Sequence, residues 1–138
     1  MKIQDIRSIG ILGAGVMGGG IGQSAIQAGY NVIIRDLTVE ICENTRDTIL
    51  NSRFGFNNAV QMDKMTQEER DAAMERLSFT TDVNDLKDCD LIIEAIGGGI
   101  DGAIENKPLK LEVWKEMDQL VKPDAVFAST HRCLRLLI

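Results

Sequence analysis

A short apolar run, Ile9-Gly10-Ile11-Leu12, leads into Gly13-Ala14-Gly15-Val16-Met17-Gly18, and a second, Val32-Ile33-Ile34, closes on Arg35-Asp36. Strand, glycine turn, helix and strand, completed by an acid at the second strand's end within about 30 residues, is the pattern of a dinucleotide-binding unit. Gly13 permits the tight turn out of the first strand, Gly15 presents no Cβ to a pyrophosphate, and Gly18 lets the following helix press against the sheet. The helix start supplies unpaired N–H groups and a partial positive charge, so an anion is favoured there without any basic side chain. At Asp36 a carboxylate can accept from both adenine-ribose hydroxyls and would repel a 2′-phosphate, which favours NAD over NADP. Arg35 could pair with such a phosphate, but strand alternation should turn it away from Asp36. Gly19, Gly20 and Gly22 each cost the helix about 1 kcal/mol relative to alanine. Close packing is expected to compensate.

The chain has 138 residues, enough for one domain with a real core and too few for a two-domain oxidoreductase. Its net charge of −6 and lack of a dense Lys/Arg stripe argue against nucleic acid or an anionic membrane surface as partner. Cys42, Cys89 and Cys133 have neither metal-ligand nor redox-motif spacing and read as reduced thiols. No metal site is expected. The opening residues are too polar for a signal peptide and no apolar run approaches membrane-spanning length, so a soluble, cytoplasmic protein is expected.

Strand and helix patterns alternate along the chain, which predicts an α/β, Rossmann-type doubly wound fold with a mainly parallel sheet. Thr38 should cap a helix running toward Ser52, with Ile41, Thr45, Thr48 and Ile49 on its inward face, and Phe54-Gly55-Phe56-Asn57-Asn58 should break it. Thr66-Gln67-Glu68-Glu69 is a capping box that opens a helix to about Leu77. These two helices form a hairpin excursion between strands 2 and 3. Further strands are read at Leu77–Thr81, Leu91–Ile96 and Ala125–Ser129, with a helix from Leu109 to Val121 between the last two.

Over nearly its whole length the chain resembles the NAD-binding domain of 3-hydroxyacyl-CoA dehydrogenases. The resemblance rests on Gly13 to Gly18 continued through Gly19-Gly20-Ile21-Gly22-Gln23, on Ile34-Arg35-Asp36, and on Asp90-Leu91-Ile92-Ile93-Glu94-Ala95-Ile96. Glu105-Asn106 and Lys110 match the family's Glu-Asn-x-x-x-Lys segment, whose Glu and Lys lie near the nicotinamide half of the cofactor. The resemblance implies a cofactor-binding set of Gly13, Gly15, Val16, Met17, Gly18, Asp36, Ala95, Glu105 and Lys110. It also implies that the helical excursion helps to hold coenzyme A, with Ser52 near that contact.

Two departures qualify the match. Gly97-Gly98-Gly99-Ile100-Asp101-Gly102-Ala103-Ile104 lengthens the loop after the fourth strand, either as a surface insertion or as a loop adapted to cover the cofactor or substrate. After Ala128-Ser129 the family continues Asn-Thr-Ser-Ser-Leu, whereas here the chain reads Thr130-His131-Arg132-Cys133-Leu134 and stops at Ile138. An Asn-Thr-Ser frame that loses one base can continue as Thr-His-Arg. Residues 1–129 are therefore read as the cofactor domain and 130–138 as a tail that is frameshifted or follows a truncation. The apolar run Leu134-Arg135-Leu136-Leu137-Ile138 would add exposed hydrophobic surface and favour self-association.

In the family, the general base is a histidine oriented by a glutamate, both beyond this chain's last residue; the pair accepts the hydroxyl proton as hydride leaves for the nicotinamide. His131, the only histidine, does not match it, and Glu94 and Glu105 have no visible histidine partner to orient. No catalytic residue is assigned. Three readings follow: the cofactor domain of a dehydrogenase interconverting 3-hydroxyacyl-CoA and 3-oxoacyl-CoA, inactive as this short chain; a stand-alone NAD-binding or interaction module; or another 3-hydroxy acid dehydrogenase. Under the first, the substrate is an acyl-CoA and the full-length parent a homodimer through its second domain.

Overall fold

The computed structural model describes residues 2–96 and 107–130. The apolar runs form five strands: β1 (Ser8–Leu12), β2 (Asn31–Arg35), β3 (Leu77–Thr80), β4 (Leu91–Glu94) and β5 (Val126–Ser129). All pair in parallel in the order β3-β2-β1-β4-β5. The order reverses between β1 and β4, and the crevice outside their carboxyl ends is where sheets of this kind receive ligands.

Parallel neighbours require crossovers, and helices supply them. α1 (Val16–Gln27) joins β1 to β2, and α5 (Lys107–Leu120) lies between β4 and β5. Between β2 and β3 come α2 (Val39–Asn51), α3 (Phe56–Gln61) and α4 (Gln67–Glu75). On one side of the sheet Ile9, Ile11 and Ile34 pack with Ile26 of α1, Ile49 of α2 and Phe56 of α3. On the other, Leu12 and Ile92 pack with Leu86, Met117 and Val121. Burial on both faces explains why the strands read as nearly continuous apolar runs.

The two caps read from sequence are formed: Thr38 Oγ accepts from the Ile41 N–H at 3.2 Å, and Thr66 and Glu69 exchange side-chain-to-backbone bonds at 3.1 and 3.3 Å. The excursion has three helices rather than two. Phe54 to Asn58, expected as a break, gives way to α3, whose N-cap Gly55 lacks a capping side chain. What holds this short helix is tertiary, since Phe56 is buried and a Cβ on Gly55 would lie 2.7 Å from the Leu50 carbonyl oxygen. Strand β4 ends at Glu94 instead of Ile96 because the Ile96 N–H turns to the Glu94 carboxylate, at 2.8 Å, and leaves the ladder. A 3-10 turn over Val83–Leu86, capped by Asp82, was not legible in the sequence; it buries Leu86 completely.

At the amino ends of the strands, Asp90 staples β1 to β4. Its carboxylate accepts from the Arg7 and Ser8 N–H groups at 2.8 and 3.1 Å and pairs with the Lys122 ammonium. The Lys122 hydrogen bond, with those two backbone donors, holds the Asp90 carboxyl down to about 2. A carboxyl depressed in the folded state stabilises the protein above its unfolded pKa, near 4, and that stability is lost as pH falls toward about 2. Asp90→Ala should lower stability by about 2 kcal/mol, because its donors lose their acceptor. The variant should also show a weaker dependence of stability on pH over that acid range, as followed by circular dichroism during denaturant unfolding. A variant with wild-type stability and an unchanged acid limb would contradict the staple.

Candidate functional site

The turn between β1 and α1 is built by contacts that only glycine allows. Gly13 has φ +108°, a left-handed conformation, and a Cβ there would also lie 2.6 Å from the Ala95 carbonyl oxygen at the end of β4. At Gly18 a Cβ would lie 1.8 Å from the Gly13 carbonyl oxygen, so the first turn of α1 rests directly on the glycine turn. Above Gly15 nothing lies within 4 Å of where a Cβ would be, leaving open space beside the helix start. Val16 and Met17, 98% and 60% exposed, stand at that same end.

Gly15 is the N-cap of α1 and contributes no side chain, and no acidic residue occupies the first turn. The early N–H groups and the positive end of the helix dipole are therefore available to an anion. Asp36 follows β2 at the same edge. Its Oδ2 accepts from the Ala14 N–H at 2.7 Å and its Oδ1 from the Leu37 N–H at 2.6 Å. A carboxylate offers about four lone-pair sites, so acceptor capacity remains for two ribose hydroxyls. Arg35 is tethered elsewhere, donating from Nε to the Thr81 carbonyl at 3.2 Å.

Gly13, Gly15, Val16, Met17, Gly18, Asp36 and Ala95 are thus brought together around the carboxyl ends of β1, β2 and β4. Ala95 is held there by its N–H, which donates to the Leu12 carbonyl at 2.8 Å. Ser52 is not part of this group. It is the C-cap of α2, at the end away from Asp36, about 20 Å along the helix axis from Thr38. The same corner is fastened to α1 by Gln23 Nε2, which donates to the Phe54 carbonyl at 2.8 Å. Lys110 falls in the first turn of α5. Glu105, the Gly97–Ile104 insertion and the 131–138 tail with His131 lie outside the described residues.

Glu94, one of the two carboxylates that the sequence leaves without a histidine partner, is completely buried. Besides the Ile96 N–H it accepts the Ser129 hydroxyl at 2.6 Å, tying the carboxyl ends of β4 and β5 together. Neither this pairing nor the role of Thr45, which donates to the Ala14 carbonyl, was anticipated. A polar residue on the otherwise buried face of α2 was the available signal for Thr45. Among the described residues no cluster of His, Cys, Asp or Glu is arranged to hold a metal.

A family model described as "3-hydroxyacyl-CoA dehydrogenase, NAD binding domain" matches residues 8–136. The chain belongs to that family. The 3-hydroxyacyl-CoA dehydrogenase domain so identified is 38% identical, over 133 residues, to a 3-hydroxybutyryl-CoA dehydrogenase of Mycobacterium tuberculosis, covering 96% of this chain and 43% of that protein. A probable 3-hydroxybutyryl-CoA dehydrogenase of Deinococcus radiodurans is 36% identical over 120 residues, 87% of this chain and 39% of that protein. The crystal structure of M. tuberculosis FadB2 superposes with a TM-score of 0.82 at 37% identity, covering 94% of this chain and 42% of that one. The chain thus spans about two fifths of the length of these relatives. As in the family, the nucleotide bound is NAD.

The glycines of α1 provide a paired test. Gly18→Ala should destabilise the dehydrogenase domain by about 1–3 kcal/mol through overpacking and abolish measurable NAD binding. Gly20→Ala, with nothing within 4 Å of its Cβ, should instead gain about 0.5–1 kcal/mol of helix propensity. Thermal unfolding of both variants, with NAD titration, checks this; equal effects would show that the contact at Gly18 relaxes freely.

Proposed function

We propose that residues 1–129 form the cofactor half of an NAD-dependent 3-hydroxyacyl-CoA dehydrogenase, with the pyrophosphate at the start of α1 and the adenine ribose on Asp36. The observation that carries this reading is the convergence, at one sheet edge, of an uncapped helix start, open space over Gly15 and a carboxylate with acceptor sites to spare. These features fit a dinucleotide. When bound, NAD supplies the hydride acceptor, or as NADH the donor, for the carbon bearing the substrate's oxygen.

Each residue has a distinct task on this reading. Backbone N–H groups of Gly15 to Gly18 neutralise the phosphates, which suits a chain of net charge −6. Asp36 selects the unphosphorylated ribose and, with Arg35 tethered to Thr81, disfavours NADP. Val16, Met17 and Ala95 line the path of the dinucleotide, with Glu105 and Lys110 assigned to its nicotinamide end by resemblance. The acyl-CoA substrate is assigned likewise, with Ser52 and the α2–α4 excursion on the coenzyme A side. The boundary at 129 rests on the end of β5 at Ser129, although the family model itself matches through residue 136. The proton acceptor and the parent's homodimer contacts fall to segments that the relatives carry beyond this domain. A cytoplasmic location agrees with the free thiols of Cys42 and Cys89. Among the described residues no helix is long and apolar enough to cross a membrane.

Calorimetric titration tests the reading. The chain should bind NAD at least about tenfold more tightly than NADP, and Asp36→Ala should remove most of that preference while weakening NAD by roughly tenfold or more, the scale of a charged hydrogen bond. With acetoacetyl-CoA and NADH the 138-residue chain should show no turnover. Equal affinity for the two nucleotides, or NAD binding indifferent to Asp36, would overturn the assignment of the site.

A further inference from the structure

Ala14, the residue between the first two glycines of the turn, is gripped from both sides. Its N–H donates to Asp36 Oδ2 at 2.7 Å, and its carbonyl accepts from the Thr45 hydroxyl of α2. We propose that Thr45 is a positioning residue of the cofactor site, holding the Ala14–Gly15 peptide in the orientation that presents the Gly15 N–H to the pyrophosphate. The inference rests on the reading that this turn receives NAD.

The peptide's own geometry supplies the link. In a trans peptide the C=O and the following N–H point in opposite directions. Drawing the Ala14 carbonyl toward Thr45 therefore turns the Gly15 N–H away from Thr45, at a residue where nothing lies within 4 Å of the place of a Cβ. Thr45 is itself fixed. It is 7% exposed, and its Cγ2 methyl lies 2.9 Å from where a Cβ on Gly19 would be, so the bare Gly19 Cα accommodates it. The hydroxyl carries one proton and has two acceptors in reach, the Ala14 carbonyl and, at 3.0 Å, the Ile41 carbonyl one turn back in α2. In the first arrangement it clamps the turn; in the second it serves only its own helix. The clamp thereby couples α2, the first helix of the excursion, to the readiness of the cofactor turn. Apparent affinity scales with the fraction of molecules whose turn is competent.

Two substitutions separate the hydroxyl from the methyl. Thr45→Val keeps the shape against Gly19 and removes the proton, whereas Thr45→Ser keeps the proton and removes the methyl. Calorimetric titration with NAD should give roughly three- to tenfold weaker binding for Thr45→Val and wild-type affinity within about twofold for Thr45→Ser, the scale of one neutral hydrogen bond. In the free chain, 15N relaxation should show a more mobile Gly15 amide in the valine variant alone. Valine binding NAD as wild type does, with an unchanged Gly15 amide, overturns the proposal, as does serine losing as much as valine. If the valine variant does not fold, wild-type affinity in the serine variant supports the clamp and a loss overturns it. Failure of the wild-type chain to bind NAD would sink the cofactor reading instead. The Gly15 amide would then decide the clamp on its own, supporting it if mobile only in valine and overturning it if unchanged.

Discussion

The close approach of Gly18 to the Gly13 carbonyl sets the geometry of the whole carboxyl edge. With 1.8 Å between that oxygen and the place of a Cβ, α1 can begin only where a side chain is absent. Its start is consequently pressed against the end of β1, beside the point where the sheet order reverses. The helix dipole then faces the crevice between β1 and β4 rather than solvent at large. Gly13 completes the arrangement from below, because its left-handed turn lies against the Ala95 peptide and so joins the glycine turn to β4 as well.

The two ends of the sheet divide the work between them. At the amino ends Asp90 spends its carboxylate on backbone donors of β1 and on Lys122, a closed arrangement that serves stability. Glu94 links β4 to β5 at the opposite edge through the Ser129 hydroxyl. Asp36 differs from both. It accepts from the Ala14 and Leu37 N–H groups and, as a carboxylate, retains further acceptor capacity for the proposed ribose. Thr45 holds the same turn from α2, and the excursion is thereby more than an appendage to the sheet.

Much of this was legible in the sequence because the strongest constraints are local. The glycine spacing, the caps at Thr38 and Thr66 and the apolar strands act over a few residues, and each appears where the sequence puts it. The expected packing against the helix glycines is present at Gly19 and Gly22, where a Cβ would lie 2.9 Å from Thr45 and 2.8 Å from Ile34, and absent at Gly20. What escaped the reading depends on contacts between distant segments. Helix α3 is held by the burial of Phe56 rather than by a cap, β4 is shortened by a side chain turning back on its own backbone, and Thr45 meets Ala14 across 31 positions. Propensity and periodicity carry no information about such pairings.

In the proposed complex NAD enters at the start of α1 and shares Asp36 with the backbone of the glycine turn. Amide chemical-shift mapping during an NAD titration of the 15N-labelled chain tests it most directly. The largest shifts are expected at Gly13 to Gly18 and at Leu37, whose N–H donates to the carboxylate proposed to receive the ribose. Shifts concentrated elsewhere, at the α2–α3 corner or the amino ends of the strands, would contradict it.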